Sequence, residues 1–262
     1  MFHNKETIHV TDVVLNVRDL SKMRPFYENI LGLTPVAKTE TSETYEIADS
    51  GHTITLKEVA DPIDENRREA GLYHIALLLP TKESLADFLW HMHQNNIQFG
   101  AGDHHVSEAL YLTDPEGNGY EYYIDRDTSE WIWKDAHVYM TTEQVDVNAL
   151  VEHRSEAGFK GLIDGTVFGH LHLRTHDLQG ALPFYTETIG LDVVTNYPGA
   201  LFMSDKKYHH HIAMNVWSSN KARENNEQAL GLSHVYVHHP TVNESDIVSP
   251  DGIHFTLVEK IK

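Results

Sequence analysis

Cysteine is absent from this chain of 262 residues. Its absence excludes disulfide bridges, thiolate nucleophiles and every metal site that is built on sulfur ligands. Long apolar runs are absent too, since none approaches the roughly 20 residues that span a bilayer. Positive charge is scarce, with 20 Lys and Arg against 39 Asp and Glu, which gives a net charge of −19. A field of that sign repels nucleic acids and anionic membranes, so neither is an expected partner.

What the chain does contain favours a folded, metal-binding protein. Hydrophobic residues make up 40% of it, enough for a substantial core. The first ten residues are polar and carry no apolar signal core, so the cytoplasm is the expected compartment. Histidine occurs 20 times. Because histidine is the commonest metal ligand, the positions of these residues are the place to look for a site.

The sequence repeats itself at long range. Residues 12–36 and 170–194 align without a gap and share Asp19/Asp177, Leu20/Leu178, Pro25/Pro183, Phe26/Phe184, Tyr27/Tyr185, Gly32/Gly190, Leu33/Leu191 and Val36/Val194. Each copy opens with the alternating apolar residues of a strand and continues into a helix that carries Phe-Tyr. Gly-Leu then ends the helix, and further strands follow, such as Glu43–Ile47 and His209–Trp217.

A second type of module begins at Gly71. Its opening GLYH returns as GLSH at 231–234, and its turn DPEG at 114–117 returns as SPDG at 249–252. The first copy has a predicted helix from Lys82 to Asn95, whereas the second has no room for a helix between Pro240 and Ile247. The chain therefore has four predicted modules, at 8–60, 71–125, 166–217 and 229–261.

The modules are separated in the middle by a charged linker, residues 126–165. Val145–Ala157 could form a helix there, and Trp131 and Trp133 are expected to pack against the modules. We group the modules in sequence order into a first domain at 1–125 and a second domain at 166–262.

These βαβββ repeats, with Phe-Tyr and Gly-Leu on their helices, resemble the vicinal oxygen chelate superfamily of glyoxalases, bleomycin resistance proteins and extradiol dioxygenases. The resemblance implies an α+β fold in which four βαβββ modules, the last one shortened, form two half-open mixed β-barrels with flanking helices. It covers nearly the whole chain except the linker and the shortened last module.

A more specific match lies at residues 102–121, GDHHVSEALYLTDPEGNGYE. This run is similar to the extradiol dioxygenase signature, with His104, Tyr111, Asp114-Pro115 and Glu121 at the signature positions. Together with GLYHIALLLP, FGHLHL and YHHHIAMNVW, it resembles the bacterial catechol-2,3-dioxygenase group.

In this superfamily the metal ligands come from the first and last strands of paired modules. The second module offers His74 and Glu121 at those positions, and the third offers His170 and the run His209–His211. The first and fourth modules have Asp12, His234 and Thr256 at the equivalent places, which are not a complete set. The resemblance thus implies a 2-His-1-carboxylate site of His74, His170 and Glu121, typical of non-haem Fe(II) oxygenases, within the middle two modules.

The resemblance also implies catalytic side chains. The acid/base histidine begins the last strand of the third module, and strand alternation favours His211, with His209 or His210 as alternatives in a different register. Tyr111 matches the signature tyrosine that hydrogen-bonds the substrate. His105, or His104 beside it, would orient substrate or ligand.

The expected function is an Fe(II)-dependent extradiol dioxygenase that cleaves catechol or a related dihydroxylated aromatic with O₂. Manganese or another divalent metal is the alternative cofactor, and a homo-oligomer is compatible with the open sheet edges. Two other functions stay open: a glyoxalase-like isomerase or thiol transferase, with one of His209–His211 as a fourth ligand, and a metal-free protein that binds an aromatic compound.

Overall fold

The computed structural model describes residues 2–224 and 226–259. The ends of the predicted ranges, residue 1 and residues 260–262, lie outside the described residues. The first module folds as strand, helix and three strands: β1 His9–Val17, α1 Leu20–Asn29, β2 Thr34–Lys38, β3 Ser42–Glu46 and β4 Thr53–Glu58. The Asp19 side chain caps α1 by accepting hydrogen bonds from the backbone N–H groups of Ser21 and Lys22.

The second module repeats this order with a longer helix. Its elements are β5 Gly71–Leu78, α2 Lys82–Gln94, β6 Gly100–Asp103, β7 Ser107–Thr113 and β8 Gly119–Asp125. The predicted helix is therefore confirmed to within one residue, and a Thr81–Ser84 capping box begins it.

The linker contains little regular structure. It has a 3₁₀ turn at Thr128–Glu130, a short hairpin of β9 Trp133–Lys134 and β10 His137–Val138, and a one-turn helix α3 Val147–Val151. This helix is much shorter than the predicted range of 145–157. Trp131 packs against the modules as expected, since its ring is buried beside Tyr208 and His209.

The third module contains β11 Val167–Arg174, α4 Leu178–Pro183, a π-helical turn Phe184–Ile189, β12 Asp192–Tyr197, β13 Ala200–Ser204 and β14 Ile212–Asn215. Gly190 ends its helical segment in the left-handed conformation, at φ 91°. The last strand begins at Ile212, three residues later than the predicted start at His209.

The fourth module consists of strands alone: β15 Gly231–His238, β16 Glu244–Val248 and β17 His254–Val258. The described part of this module contains no helix, as the short interval before Ile247 predicts. Of the helices in the described residues, none is both long enough and apolar enough to cross a membrane.

Two large curled sheets organise these modules, and the mixed α+β fold is confirmed. One sheet has seven strands in the order β16-β17-β15-β1-β4-β3-β2, and the other has eight in the order β12-β13-β14-β11-β5-β8-β7-β6. The seven-stranded sheet thus joins the first and fourth modules, and the eight-stranded sheet joins the second and third. The division into sequence halves, 1–125 and 166–262, does not coincide with the sheets, because β1 pairs with β15 and β5 pairs with β11.

Candidate metal centre

Three adjacent strands at the middle of the eight-stranded sheet carry the predicted ligands. His74 lies on β5, Glu121 on β8 and His170 on β11, with β5 paired to both neighbours. Ala76 is the register partner of Glu121 on one side and of His170 on the other. Because residues two apart on a strand face the same way, His74 shares this face. The small Ala76 side chain leaves space between the three longer ones.

The ligand atoms of His74, Glu121 and His170 converge in this space. Glu121 Oε2 lies 2.9 Å from His74 Nε2 and 3.1 Å from His170 Nε2. Metal–ligand bonds of about 2.1 Å at right angles would separate two ligand atoms by about 3.0 Å. All three residues are buried, so their ligand atoms are held together away from solvent. The group therefore fits a divalent cation.

The protonation states of Glu121 and His170 are those that a metal requires. Burial alone would raise the pKa of Glu121, but the adjacent His170 and His74 lower it well below its usual value. Burial lowers the pKa of His170 to about 4, although the Glu121 charge opposes this shift. At neutral pH the site therefore presents a carboxylate and an unprotonated His170 imidazole.

A cavity of about 400 Å³ opens over the triad. The triad lies at its floor, Tyr111 and further histidines line its wall, and the remaining lining is mainly apolar, with side chains that include Tyr73, Val106, Met140, Tyr197, Phe202 and Trp217. Of these, Tyr73, Tyr197 and Trp217 are partly exposed and form its mouth. Among the described residues that line the cavity, Glu121 is the one carboxylate and no Lys or Arg occurs.

Tyr111 and His104 form a hydrogen-bonded pair on the cavity wall. His104 Nδ1 lies 2.8 Å from the Thr141 carbonyl oxygen, which can only accept, so Nδ1 donates. If the ring carries this one N–H, its Nε2 accepts a hydrogen bond from the Tyr111 hydroxyl, over 2.5 Å. Burial and the Glu121 charge raise the pKa of Tyr111 well above its usual value. Its neutral oxygen is therefore free to accept a hydrogen bond from a bound ligand.

His105, the other predicted member of this wall, lies outside the cavity lining. Its backbone adopts φ 67°, which turns the chain so that successive residues do not alternate as in a strand. The His105 ring is partly exposed, and its Nε2 lies 3.1 Å from Glu143 Oε1. The structure thus places His104, and not His105, beside the triad.

The three consecutive histidines 209–211 point in three directions. His211 Nε2 donates a 3.0 Å hydrogen bond to the Phe2 carbonyl oxygen, and its ring packs against His3, away from the cavity lining. His210 lines the cavity, with its ring centroid 3.9 Å from that of His170. The structure thus places His210, and not His211, in the cavity lining, because the segment bends before β14 and does not follow strand alternation.

His172 is a cavity residue that sequence reasoning missed. It lies two residues after His170 on the same strand face, and its Nε2 lies 3.0 Å from the Asn215 amide nitrogen. Since that amide nitrogen only donates, His172 Nε2 is the acceptor. Burial lowers the pKa of His172 well below its usual value, so the ring is neutral. The sequence signal that could have identified it is the i, i+2 spacing of His170 and His172 in FGHLHL, which puts both side chains on one face of a strand.

Comparisons with known proteins agree with this architecture. The model of the glyoxalase/bleomycin resistance protein/dioxygenase superfamily matches residues 8–122 and 167–249. A protein of Bacillus subtilis (strain 168) named catechol-2,3-dioxygenase is 38% identical over 250 residues, which cover 93% of this chain and 87% of that protein.

Two solved structures share the fold at low sequence identity. A putative dioxygenase from Bacillus subtilis has a TM-score of 0.60 at 11% identity and covers 96% of this chain and 85% of its own. Glyoxalase I from Zea mays has a TM-score of 0.58 at 12% identity, over 96% of this chain and 92% of its own. The matched residues include both repeats and all three residues of the triad, and the chain belongs to the glyoxalase/bleomycin resistance protein/dioxygenase superfamily.

Proposed function

We propose that this protein is an Fe(II)-dependent extradiol dioxygenase that cleaves catechol or a related dihydroxylated aromatic and inserts both atoms of O₂. The observation that carries the proposal is the buried His74–Glu121–His170 triad at the floor of an aromatic cavity. Two imidazoles and one carboxylate leave several coordination positions open, the arrangement of non-haem Fe(II) oxygenases. The similarity to a protein named catechol-2,3-dioxygenase supports the same reaction class.

Iron held by the triad would supply open coordination positions and would relay electrons from the catechol, which is oxidised, to O₂. The protein's own part begins with proton transfer at His210. Burial lowers the pKa of His210 well below its usual value, so the neutral ring can accept a proton from a catechol hydroxyl. Tyr111, which donates its own proton to His104, presents an oxygen that can accept a hydrogen bond from the second hydroxyl.

The cavity supports an uncharged substrate. A cavity of about 150 Å³ holds one benzene molecule, whereas this one measures about 400 Å³ and leaves room for a ring substituent. No cationic side chain among the described lining residues could pair with a substrate carboxylate, and Glu121 would repel one. We therefore expect catechols with apolar substituents to be preferred over carboxylated ones.

The two alternative functions receive less support from the same geometry. A four-ligand glyoxalase-like site would need a further imidazole or carboxylate beside the triad, but within the described residues the metal-binding group comprises three side chains. His209, one of the candidates, is hydrogen-bonded to Asp125 instead. A metal-free binding protein would have no use for a buried carboxylate between two histidines, which is costly without a cation.

The test is an aerobic assay after anaerobic loading with Fe(II). We expect a yellow ring-fission product from catechol, one bound iron per chain, and loss of both in Glu121→Ala and His170→Ala. His210→Asn should keep the iron and lose about 10²–10⁴-fold in kcat, as expected for loss of a general base. A wild-type protein that binds iron but converts only thiol adducts of ketoaldehydes would contradict the proposal.

A further inference from the structure

Three hydrogen-bonded side chains lead away from the cavity: the buried His210 and His209, and Asp125, which is partly exposed. His210 Nδ1 lies 2.8 Å from His209 Nδ1, and His209 Nε2 lies 2.8 Å from Asp125 Oδ1. Asp125 is the last residue of β8, the strand that carries Glu121. These hydrogen bonds therefore connect His210 in the cavity to β8, the strand that also carries Glu121.

The positions of the protons in this chain follow from what each group can donate. An ionised carboxylate only accepts, so His209 Nε2 donates to Asp125. A neutral imidazole has a single N–H, so Nδ1 of a neutral His209 must accept, and His210 Nδ1 must donate to it. Neutral His210 is then left with an unprotonated Nε2, the form that a general base requires.

Packing holds the His209 ring in the orientation that this chain needs. The ring is fully buried, with centroid distances of 4.0 Å to Tyr208, 5.3 Å to Trp131 and 5.9 Å to Tyr123. These aromatic neighbours restrict rotation, so the two ring nitrogens stay directed at Asp125 and His210. Tyr208 also donates a longer hydrogen bond to Asp125, over 3.2 Å, which is not part of the path from Asp125 to His210.

We propose that Asp125 and His209 are positioning residues that hold His210 in the Nδ1–H tautomer, with its Nε2 lone pair available to the substrate. The inference rests on the proposed function in that it assigns the base role to His210. It extends that function by naming two side chains outside the cavity lining on which the base depends. Loss of such outer partners typically lowers activity about 10–100-fold.

The experiment determines the tautomer of His210 and the turnover in the same full-length variants. In metal-free protein labelled with ¹⁵N-histidine, the His210 signals are identified by their disappearance in His210→Asn. The wild type should show Nδ1 protonated and Nε2 unprotonated. Asp125→Asn should shift His210 toward the Nε2–H tautomer, because the new amide can donate to His209. After Fe(II) loading, the same variant should lose about 10–100-fold in kcat on catechol with little change in KM.

Tyr208→Phe is the matched control, because it removes the other side-chain hydrogen bond to Asp125 and keeps the aromatic packing. It should retain the wild-type tautomer and turnover. The proposal is overturned if wild-type His210 is protonated at Nε2, or if kcat of Asp125→Asn equals that of the wild type. Wild-type protein that binds iron and cleaves no catechol would count against the proposed function alone, since NMR of the metal-free protein still tests the hydrogen-bond chain.

Discussion

The two sheets of this protein are built alike, yet only the eight-stranded sheet has a metal-binding group among the described residues. In both sheets the first strands of two modules pair antiparallel, β1 with β15 and β5 with β11. The last strand of a module then pairs parallel with the first strand of the same module, as β17 does with β15 and β8 with β5. The residue between the ligand positions differs. Ala76 occupies it in the eight-stranded sheet, and Tyr236 is its counterpart, paired with Asp12 and Thr256.

This difference shows that loss of a site involves space as well as ligands. The Tyr236 ring lies 4.6 Å from that of His234 and stands at the register position that the small Ala76 side chain takes in the other sheet. The remaining polar groups there bond to one another: His234 Nε2 lies 2.7 Å from Thr256 Oγ1, and Asp12 accepts from Thr53. The seven-stranded sheet is therefore a structural counterpart with its ligand positions satisfied internally.

Exchange of the carboxylate should have the largest effect. Glu121→Thr gives the eight-stranded sheet the residue found at Thr256 and removes the one charged ligand. We expect iron affinity and kcat/KM to fall by more than about 100-fold, beyond the loss typical of residues that only support a ligand. Metal analysis of the purified protein and the catechol assay measure both. The reciprocal Thr256→Glu should leave both at wild-type levels.

Filling the space between the ligands should also remove the metal. In Ala76→Tyr all three ligands remain, but the ring enters the region that they enclose. We expect loss of iron binding and a decrease of about 1–3 kcal/mol in the free energy of unfolding, from overpacking. Iron content and urea denaturation measure these changes, and circular dichroism checks the fold. Tyr236→Ala is the control; iron loss there would contradict the separation of the two sheets.

Buried histidines of the seven-stranded sheet should make the protein sensitive to acid. Burial, assisted by the nearby His3, lowers the pKa of His9 from 6.5 to about 2. Below pH 6.5 the unfolded chain binds a proton at His9 that the folded protein does not bind. The free energy of unfolding of metal-free protein should therefore fall by up to about 1.4 kcal/mol per pH unit from this residue. Urea titrations across this range measure the slope, and His9→Gln should reduce it.

The smallest expected effect concerns the mouth of the cavity. Trp217 is about half exposed there, and Tyr73 contacts it edge-on at 5.5 Å. We expect Trp217→Ala to lower kcat/KM about tenfold for catechols with a large apolar substituent, because lost apolar contact of this size costs about 1–3 kcal/mol. Catechol itself should be cleaved at the wild-type rate. Equal losses for both substrates would place Trp217 in a general structural role.

Much of the fold and the metal-binding group could be predicted from the sequence. Repeats and strand patterns located the four modules, and the resemblance to the superfamily then pointed to His74, Glu121 and His170 on their first and last strands. The pairing of β5 with β11 is a long-range contact that no local pattern encodes, so the grouping by sequence halves did not match the sheets. Local irregularity explains the other differences: bends at 209–211 exposed His210 to the cavity, and the left-handed backbone of His105 turned its ring away.

The pairing of β5 with β11 has a consequence for how the chain is held together. His74 and His170 come from the two halves of the sequence, so a cation bound between them is a cross-link across the junction of the second and third modules. A ligand that binds only the folded protein stabilises it by about 2.7 kcal/mol at 100 times its Kd. Metal supply would thus change the stability of the folded protein.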